Sequence, residues 1–177
     1  MSEKLLSPEE ALRILREAGC PIEVIKHCEA VANMAVEIAE RCVKNGVTVN
    51  INLVQIGALL HDIGRSRTHS VHHAIVGAEI ARSLGLPEQI IRIIERHVGG
   101  GISAEEALKL GWPNKNYVPE TSEEKIVAYA DKLIEGSRII SIEETIERFK
   151  SELGENHPAI ERIMRLHKEI SRICGSS

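Results

Sequence analysis

A chain of 177 residues, 43% hydrophobic and 27% charged, can bury one substantial core and has the balance of a soluble globular domain, which sets aside disorder. Its formal net charge of −4 supplies no global basic field for nucleic acid, though a locally basic cleft stays open, and few aromatic residues leave few platforms for stacked bases. No apolar run approaches the roughly 18 residues of a membrane span, and Met1-Ser2-Glu3-Lys4 leads into a polar helix start without a signal-peptide core, so a cytoplasmic location and no membrane partner are expected.

The apolar period is helical nearly throughout. Ser7-Pro8-Glu9-Glu10 joins an N-cap, a first-turn proline and a capping-box glutamate, and Gly19 stops that helix. From Val24 the positions Cys28, Val31, Ala35, Ile38 and Cys42 form one stripe of a long second helix that ends near Asn45-Gly46, and Val47 to Ile51 reads as a loop. Leu53 to Asp62 is a third helix closed by Gly64. Ser70 to Leu84 is a fourth, whose small residues Ala74, Gly77, Ala78 and Ala81 admit another backbone closely. Pro87 opens a fifth, with Ile90, Ile93, Ile94 and His97 on one face before Gly99-Gly100-Gly101 breaks it.

Ser103-Ala104-Glu105-Glu106 caps a short helix ending at Gly111, and Trp112 to Glu120 is an ordered loop. Thr121-Ser122-Glu123-Glu124 caps a helix predicted to run to Ile134, and helices over about Ile142 to Leu153 and Pro158 to Cys174 read as peripheral cover. The expectation is therefore an all-α, single-domain helical bundle over residues 1–177. Its core spans about 22–136, with an N-terminal helix at 7–19 and a C-terminal helical cover at 142–174. The four cysteines (Cys20, Cys28, Cys42 and Cys174) form no C-x-x-C pair and read as buried thiols.

Histidine carries the chemical information. His27, His61, His73 and His97 fall on or beside the buried stripes of four helices, and Asp131, four residues after Val127 and three before Ile134, aims a carboxylate at the core. An unpaired buried carboxylate costs several kcal/mol, and metal coordination is one of few remedies. A single inward histidine is more often a satisfied core residue. Several on separate helices, joined by two carboxylates, point instead to a metal, and imidazole with carboxylate suits a first-row transition ion better than magnesium alone.

At this point the sequence resembles the HD-domain phosphohydrolase superfamily. Leu60-His61-Asp62-Ile63-Gly64-Arg65 matches its eponymous motif in the HDIG form typified by ribonuclease Y and the cyclic-dinucleotide phosphodiesterases. Lys26-His27-Cys28, His73-Ala74-Ile75-Val76-Gly77-Ala78-Glu79, Arg96-His97 and Tyr129-Ala130-Asp131 follow in the same order, and short archaeal HD proteins are closest in layout.

The resemblance implies an HD-type bundle in which His27, His61, Asp62 and Asp131 hold one metal and Asp62 bridges to a second bound by His73 and His97. One or two divalent ions (Mn, Fe, Ni, Co or Zn, with Mg in one site at most) would activate a hydroxide against a phosphate ester, making the chain a phosphomonoesterase or phosphodiesterase. Asp62 and Arg65 would be its catalytic residues. The implied partner is a small, nucleotide-like phosphorylated substrate, with RNA and a homo-oligomer left open.

Two departures stand out. Val98 occupies the place of a second histidine often found after the one matching His97, and Arg65 replaces the usual lysine, offering a planar fork for phosphate but a poor proton donor. Other polar residues carry weaker expectations. His72 could assist the site as a spare ligand, Arg67 and His69 could line a substrate mouth, and Lys26 and Arg138 could contact phosphate, whereas His157 and His167 read as surface residues. A di-iron oxygenase of the same fold and a non-catalytic metal-binding regulatory module are the alternative readings.

Overall fold

The computed structural model describes residues 5–175, so the Met1–Lys4 segment lies outside the described residues. Helices α1 (Pro8–Ala18), α2 (Ile22–Lys44), α3 (Ile51–Leu60), α4 (His73–Ser83) and α5 (Glu88–Glu95) are followed by α6 (Ala104–Lys109) and α7 (Ser122–Asp131). A two-residue antiparallel hairpin then joins β1 (Ile134–Glu135) to β2 (Arg138–Ile139), before α8 (Ile142–Leu153) and α9 (Pro158–Cys174) close the chain. Among the described residues the fold is all-α apart from that hairpin.

Helix α3 is the axis of the core. Seven of its residues (Leu53, Val54, Ile56, Gly57, Ala58, Leu59 and Leu60) are buried, and apart from Asn52 and Gln55 its sequence is apolar, as a helix enclosed on most sides by others requires. It packs against α1, α2, α5 and α7. The capping signals act where they were read: Ser7, Ser103 and Thr121 each form a reciprocal capping box with the glutamate three residues on. Asn50 also caps α3 by accepting from the Leu53 N–H, which starts that helix two residues earlier than its apolar period suggests.

Close approach, not only burial, positions the next elements. Gly64 lies in a 3-10 turn (Ile63–Ser66) against the first turns of α4, where a Cβ on Gly77 would stand 3.1 Å from the Gly64 nitrogen and 2.8 Å from the Ile94 Cγ2. The small-residue face of α4 thus meets the backbone of the His61-Asp62-Ile63-Gly64 segment itself.

Two expectations need correction. Helix α9 is not cover: Ile163, Leu166 and Ile170 are buried in the main core, and α9 packs on α2 and α7. That docking also joins Cys42 at the end of α2 to Cys174 at the end of α9 in a disulfide, although both were read as free thiols; Cys20 and Cys28 are buried and unpaired. Nothing in the local sequence marks the bond, because its partners are 132 positions apart and only tertiary packing brings them together. Closing so long a loop restricts the unfolded chain by about 4–5 kcal/mol in the chain-entropy account. Cys42→Ser is therefore expected to lower the melting temperature by roughly 10 °C, at about 2–4 °C per kcal/mol for a chain of this size. Calorimetry of the variant should match that of the reduced wild type, and unchanged melting would show that the bond adds nothing.

Candidate metal centre

Five of the six residues singled out by sequence sit at helix ends, not within regular helix. His61 is the C-terminal cap of α3, and Asp62 follows with φ −101° and ψ 17°, a turn conformation that breaks the roughly 100° divergence of adjacent helical side chains. His73 opens α4, His97 precedes a second 3-10 turn (Val98–Gly100), and Asp131 closes α7. Only His27 projects from a helix interior, in the second turn of α2. Helix α5 ends at Glu95, so His97 leaves the helical face on which its spacing placed it, whereas Asp131 is still the last residue of α7, which ends there and not at Ile134.

These ends converge. Asp62 faces two ways: its Oδ1 lies 3.2 Å from both His73 Nε2 and His97 Nε2, while its Oδ2 lies 3.5 Å from His61 Nε2 and 3.6 Å from His27 Nε2. Asp131 Oδ1 stands 3.0 Å from His27 Nε2 and 3.4 Å from His61 Nε2. Ligand atoms of His27, His61 and Asp131 fall within 4.8 Å of one another, as do those of His61, Asp62 and His97.

The outer nitrogens fix how the imidazoles are used. His27 Nδ1 lies 2.7 Å from the Gly136 carbonyl, His61 Nδ1 2.6 Å from Ala58, His73 Nδ1 2.7 Å from Ser70 and His97 Nδ1 2.6 Å from Ile94. A carbonyl only accepts, so each Nδ1 carries a proton and each Nε2 is the ring atom turned inward to the other ligand atoms. His73 Nε2 and His97 Nε2 are 3.1 Å apart, and His61 Nε2 and Asp62 Oδ1 are buried without a hydrogen-bond partner. Converging ring nitrogens backed by carbonyls and carboxylates are the donor set of a divalent cation.

The electrostatics agree with that donor set. Burial opposes ionisation of Asp62 and Asp131, yet His61, His73 and His97 around the former, and Lys132 with His27 and His61 around the latter, hold both carboxyls well below the usual range. Burial also opposes a charged His61, but Asp62, Cys28 and Asp131 together outweigh it and raise the imidazole well above its ordinary value. Burial pushes His97 down to about 4 against the pull of Asp62. Without metal, negative charge thus persists in a buried site and is balanced by neighbouring cations.

Arg65 places its Nε 3.1 Å from Asp62 Oδ2 and donates from Nη1 to the His69 carbonyl at 3.2 Å, so it braces the central carboxylate and also lines the cleft. Lys132 was missed. It is buried, with Nζ 2.8 Å from Asp131 Oδ2 and 3.1 Å from the His97 carbonyl, and its position directly after an inward aspartate was the available signal. Lys132→Met should leave Asp131 short of a buried partner and cost about 3 kcal/mol. Urea denaturation of the metal-free variant reads this directly, and a loss below 1 kcal/mol would contradict it.

Several weaker candidates lie elsewhere. His72 is exposed and accepts at Nδ1 from Trp112 Nε1 at 2.8 Å, in a small cluster with Tyr117, because it precedes α4 on the side away from His73. His167 is not a simple surface residue, since its Nδ1 lies 2.6 Å from the Tyr129 hydroxyl, and His157 caps α9. Arg138 pairs with Glu135 at 2.8 Å on the exposed hairpin. His69 lines one mouth of the cleft, while Arg67 lies by a separate cavity near α1 and Lys26 is exposed outside it. Val98 also lines the cleft, so the position is apolar where a further ligand would otherwise point.

Comparison with known proteins is consistent with this geometry. The family model described as HD domain matches residues 24–136. An uncharacterised protein of Methanocaldococcus jannaschii, MJ0778, is 50% identical over 165 residues, covering 93% of this chain and 97% of that one. The tRNA (cytidine(56)-2'-O)-methyltransferase of Picrophilus torridus is 44% identical over 94% of this chain, which spans only 47% of that enzyme's length. Among solved structures, the HD domain of the L. monocytogenes phosphodiesterase PgpH in complex with cyclic-di-AMP superposes with a TM-score of 0.54 at 19% identity, over 95% of this chain and 98% of that one, a likeness of fold.

Proposed function

We propose, from the premise that this chain belongs to the HD-domain family, that it is a metal-dependent phosphohydrolase acting on a phosphate ester of a nucleotide-like or RNA-like substrate. The observation that carries the reading is the set of four imidazoles, each held by a backbone carbonyl at Nδ1, whose Nε2 atoms meet two carboxylates beside Arg65 and Lys132. His27, His61, Asp62 and Asp131 would hold one ion, and His73, His97 and the other oxygen of Asp62 a second. Ions bound there would supply Lewis acidity to a phosphoryl group and lower the pKa of water at neutral pH.

The chain's own residues limit the chemistry further. No Ser, Thr or Cys lines the cleft among the described residues, which favours water over a hydroxyl or thiol as the attacking group. Arg65, whose Nε is fixed on Asp62, presents a permanent cation to an anionic substrate and cannot act as the acid. Lys132 holds Asp131 by its outer oxygen and so keeps the inner oxygen turned to His27 and His61.

The methyltransferase relative acts on tRNA, which supports an RNA-like substrate over a small sugar phosphate. No helix among the described residues is long and apolar enough to cross a membrane. Metal analysis of the purified protein, followed by a screen of nucleotides, cyclic nucleotides and short RNA with added manganese, tests the reading. Phosphoester cleavage abolished by chelation and restored by metal is the expected result. Iron with oxygen consumption, or no cleavage of any ester, would overturn it.

A further inference from the structure

Two cavities, of about 250 and 260 Å3, meet at the candidate metal centre and share His27, Asp62, Arg65 and Gly136. Each is below the few hundred Å3 of a pocket that swallows a whole small ligand, so a nucleotide-sized ligand would need both sides of the cleft. The two sides differ in chemistry. One carries His69, Glu23 and Val24; the other carries Lys132, Arg148 and Phe149 beside the aliphatic Val98 and Ile134.

Phe149 is the chain's single phenylalanine, and no other non-histidine aromatic ring lines either cavity among the described residues. Trp112 and Tyr117 are buried in their own cluster, and Tyr129 lines a different cavity behind α7. Phe149 extends the inner stripe of α8 that begins with the buried Ile142 and Thr145, and it packs partly buried against the main core while lining the cleft. The Arg148 guanidinium lies 5.7 Å from the ring centroid and is tied to Glu135 of the hairpin at 3.1 Å. A partly buried aromatic ring that lines the cleft, with a cation beside it and next to the candidate phosphoryl-binding centre, offers what a nucleobase takes up: a π-face and a guanidinium.

We propose that Phe149 is the specificity-determining residue of this site, receiving the nucleobase of the substrate, with Arg148 as its positioning partner. The cavity walled by α8 is then the base side of the cleft, and the His69 side takes the remainder of the substrate. This rests on the phosphohydrolase reading for the placement of the phosphate at the centre.

Calorimetric titration of the metal-loaded protein with adenosine 5′-monophosphate, and with ribose 5-phosphate as the base-free comparator, tests it. Wild type should bind the nucleotide tighter by on the order of 10-fold or more, the worth of one stacked base. Phe149→Leu, which keeps the apolar packing of α8, should bring the two affinities within about 2-fold by weakening only the nucleotide, and Phe149→Trp should restore the preference. No preference in wild type, or equal weakening of both ligands in Phe149→Leu, would overturn the assignment. If the preference follows Phe149 but no phosphate ester is cleaved, the stacking role stands and the phosphohydrolase reading falls.

Discussion

Asp62→Ala is expected to lower kcat/KM by at least about 1,000-fold, because ionic stabilisation of a phosphoryl transition state is worth several kcal/mol and each 1.4 kcal/mol is tenfold. Among the described residues no other side chain touches as much of the site. Its two oxygens reach His73, His97, His61 and His27, and Arg65 leans on one of them. Removing it deletes the group common to both ligand sets, so metal content should fall with activity. Its neighbours hold the Asp62 carboxyl well below the usual range, so its loss should also cost about 3 kcal/mol of stability while the helices of the hydrophobic core persist. Asp62→Asn, of equal shape and no charge, should match Asp62→Ala. Metal stoichiometry by elemental analysis and circular dichroism on the same samples decide the matter. Full turnover in either variant after stripping and reloading would remove Asp62 from the mechanism.

Gly64→Ala should be the most destructive small substitution on the backbone. A Cβ at Gly64 would be driven into the His73 carbonyl oxygen and would stand 2.8 Å from the Gly77 nitrogen. Both are backbone atoms at the start of α4, so no side-chain rotamer can yield and α4 itself must move. A loss of about 3 kcal/mol or more follows from such overpacking. Because His73 opens α4, the same movement withdraws His73 Nε2 from Asp62, so the His73–His97 pair should lose its metal before the His61–Asp131 side does. Gly111→Ala is the matched control: its φ of +76° imposes strain but nothing lies within 4 Å, and it should cost only about 1 kcal/mol. Equal denaturation midpoints for the two variants would refute the close-approach argument.

Both variants concern a segment that sequence alone singled out, and the contrast shows how far that reading reaches. Ser7, Ser103 and Thr121 were legible as caps because a cap and its glutamate are three residues apart. The stripe from Cys28 to Cys42 was legible because helical neighbours recur every three or four positions. His27, His61, Asp62, His73, His97 and Asp131 were identifiable as an ordered set of residue types, and the structure brings them together. Their presentation was not legible. Sequence put His97 and Asp131 on continuing helical faces, whereas α5 and α7 end at or before them and the chain turns into a 3-10 segment and a hairpin too short to leave a periodic trace.

By itself, then, the sequence determined the helices, their caps and the identity of the polar residues denied to the core, because all of these depend on neighbours within a turn or two. Only the tertiary structure decided that Lys132 braces Asp131, that His72 turns to Trp112, that Cys42 meets Cys174 and that Phe149 walls the cleft. The physical reason is distance along the chain. His27 and Asp131 are 104 residues apart and His72 and Trp112 are 40 apart, so each contact follows from how α3 is enclosed by its neighbours and how α9 docks on α2. No local propensity encodes those packings.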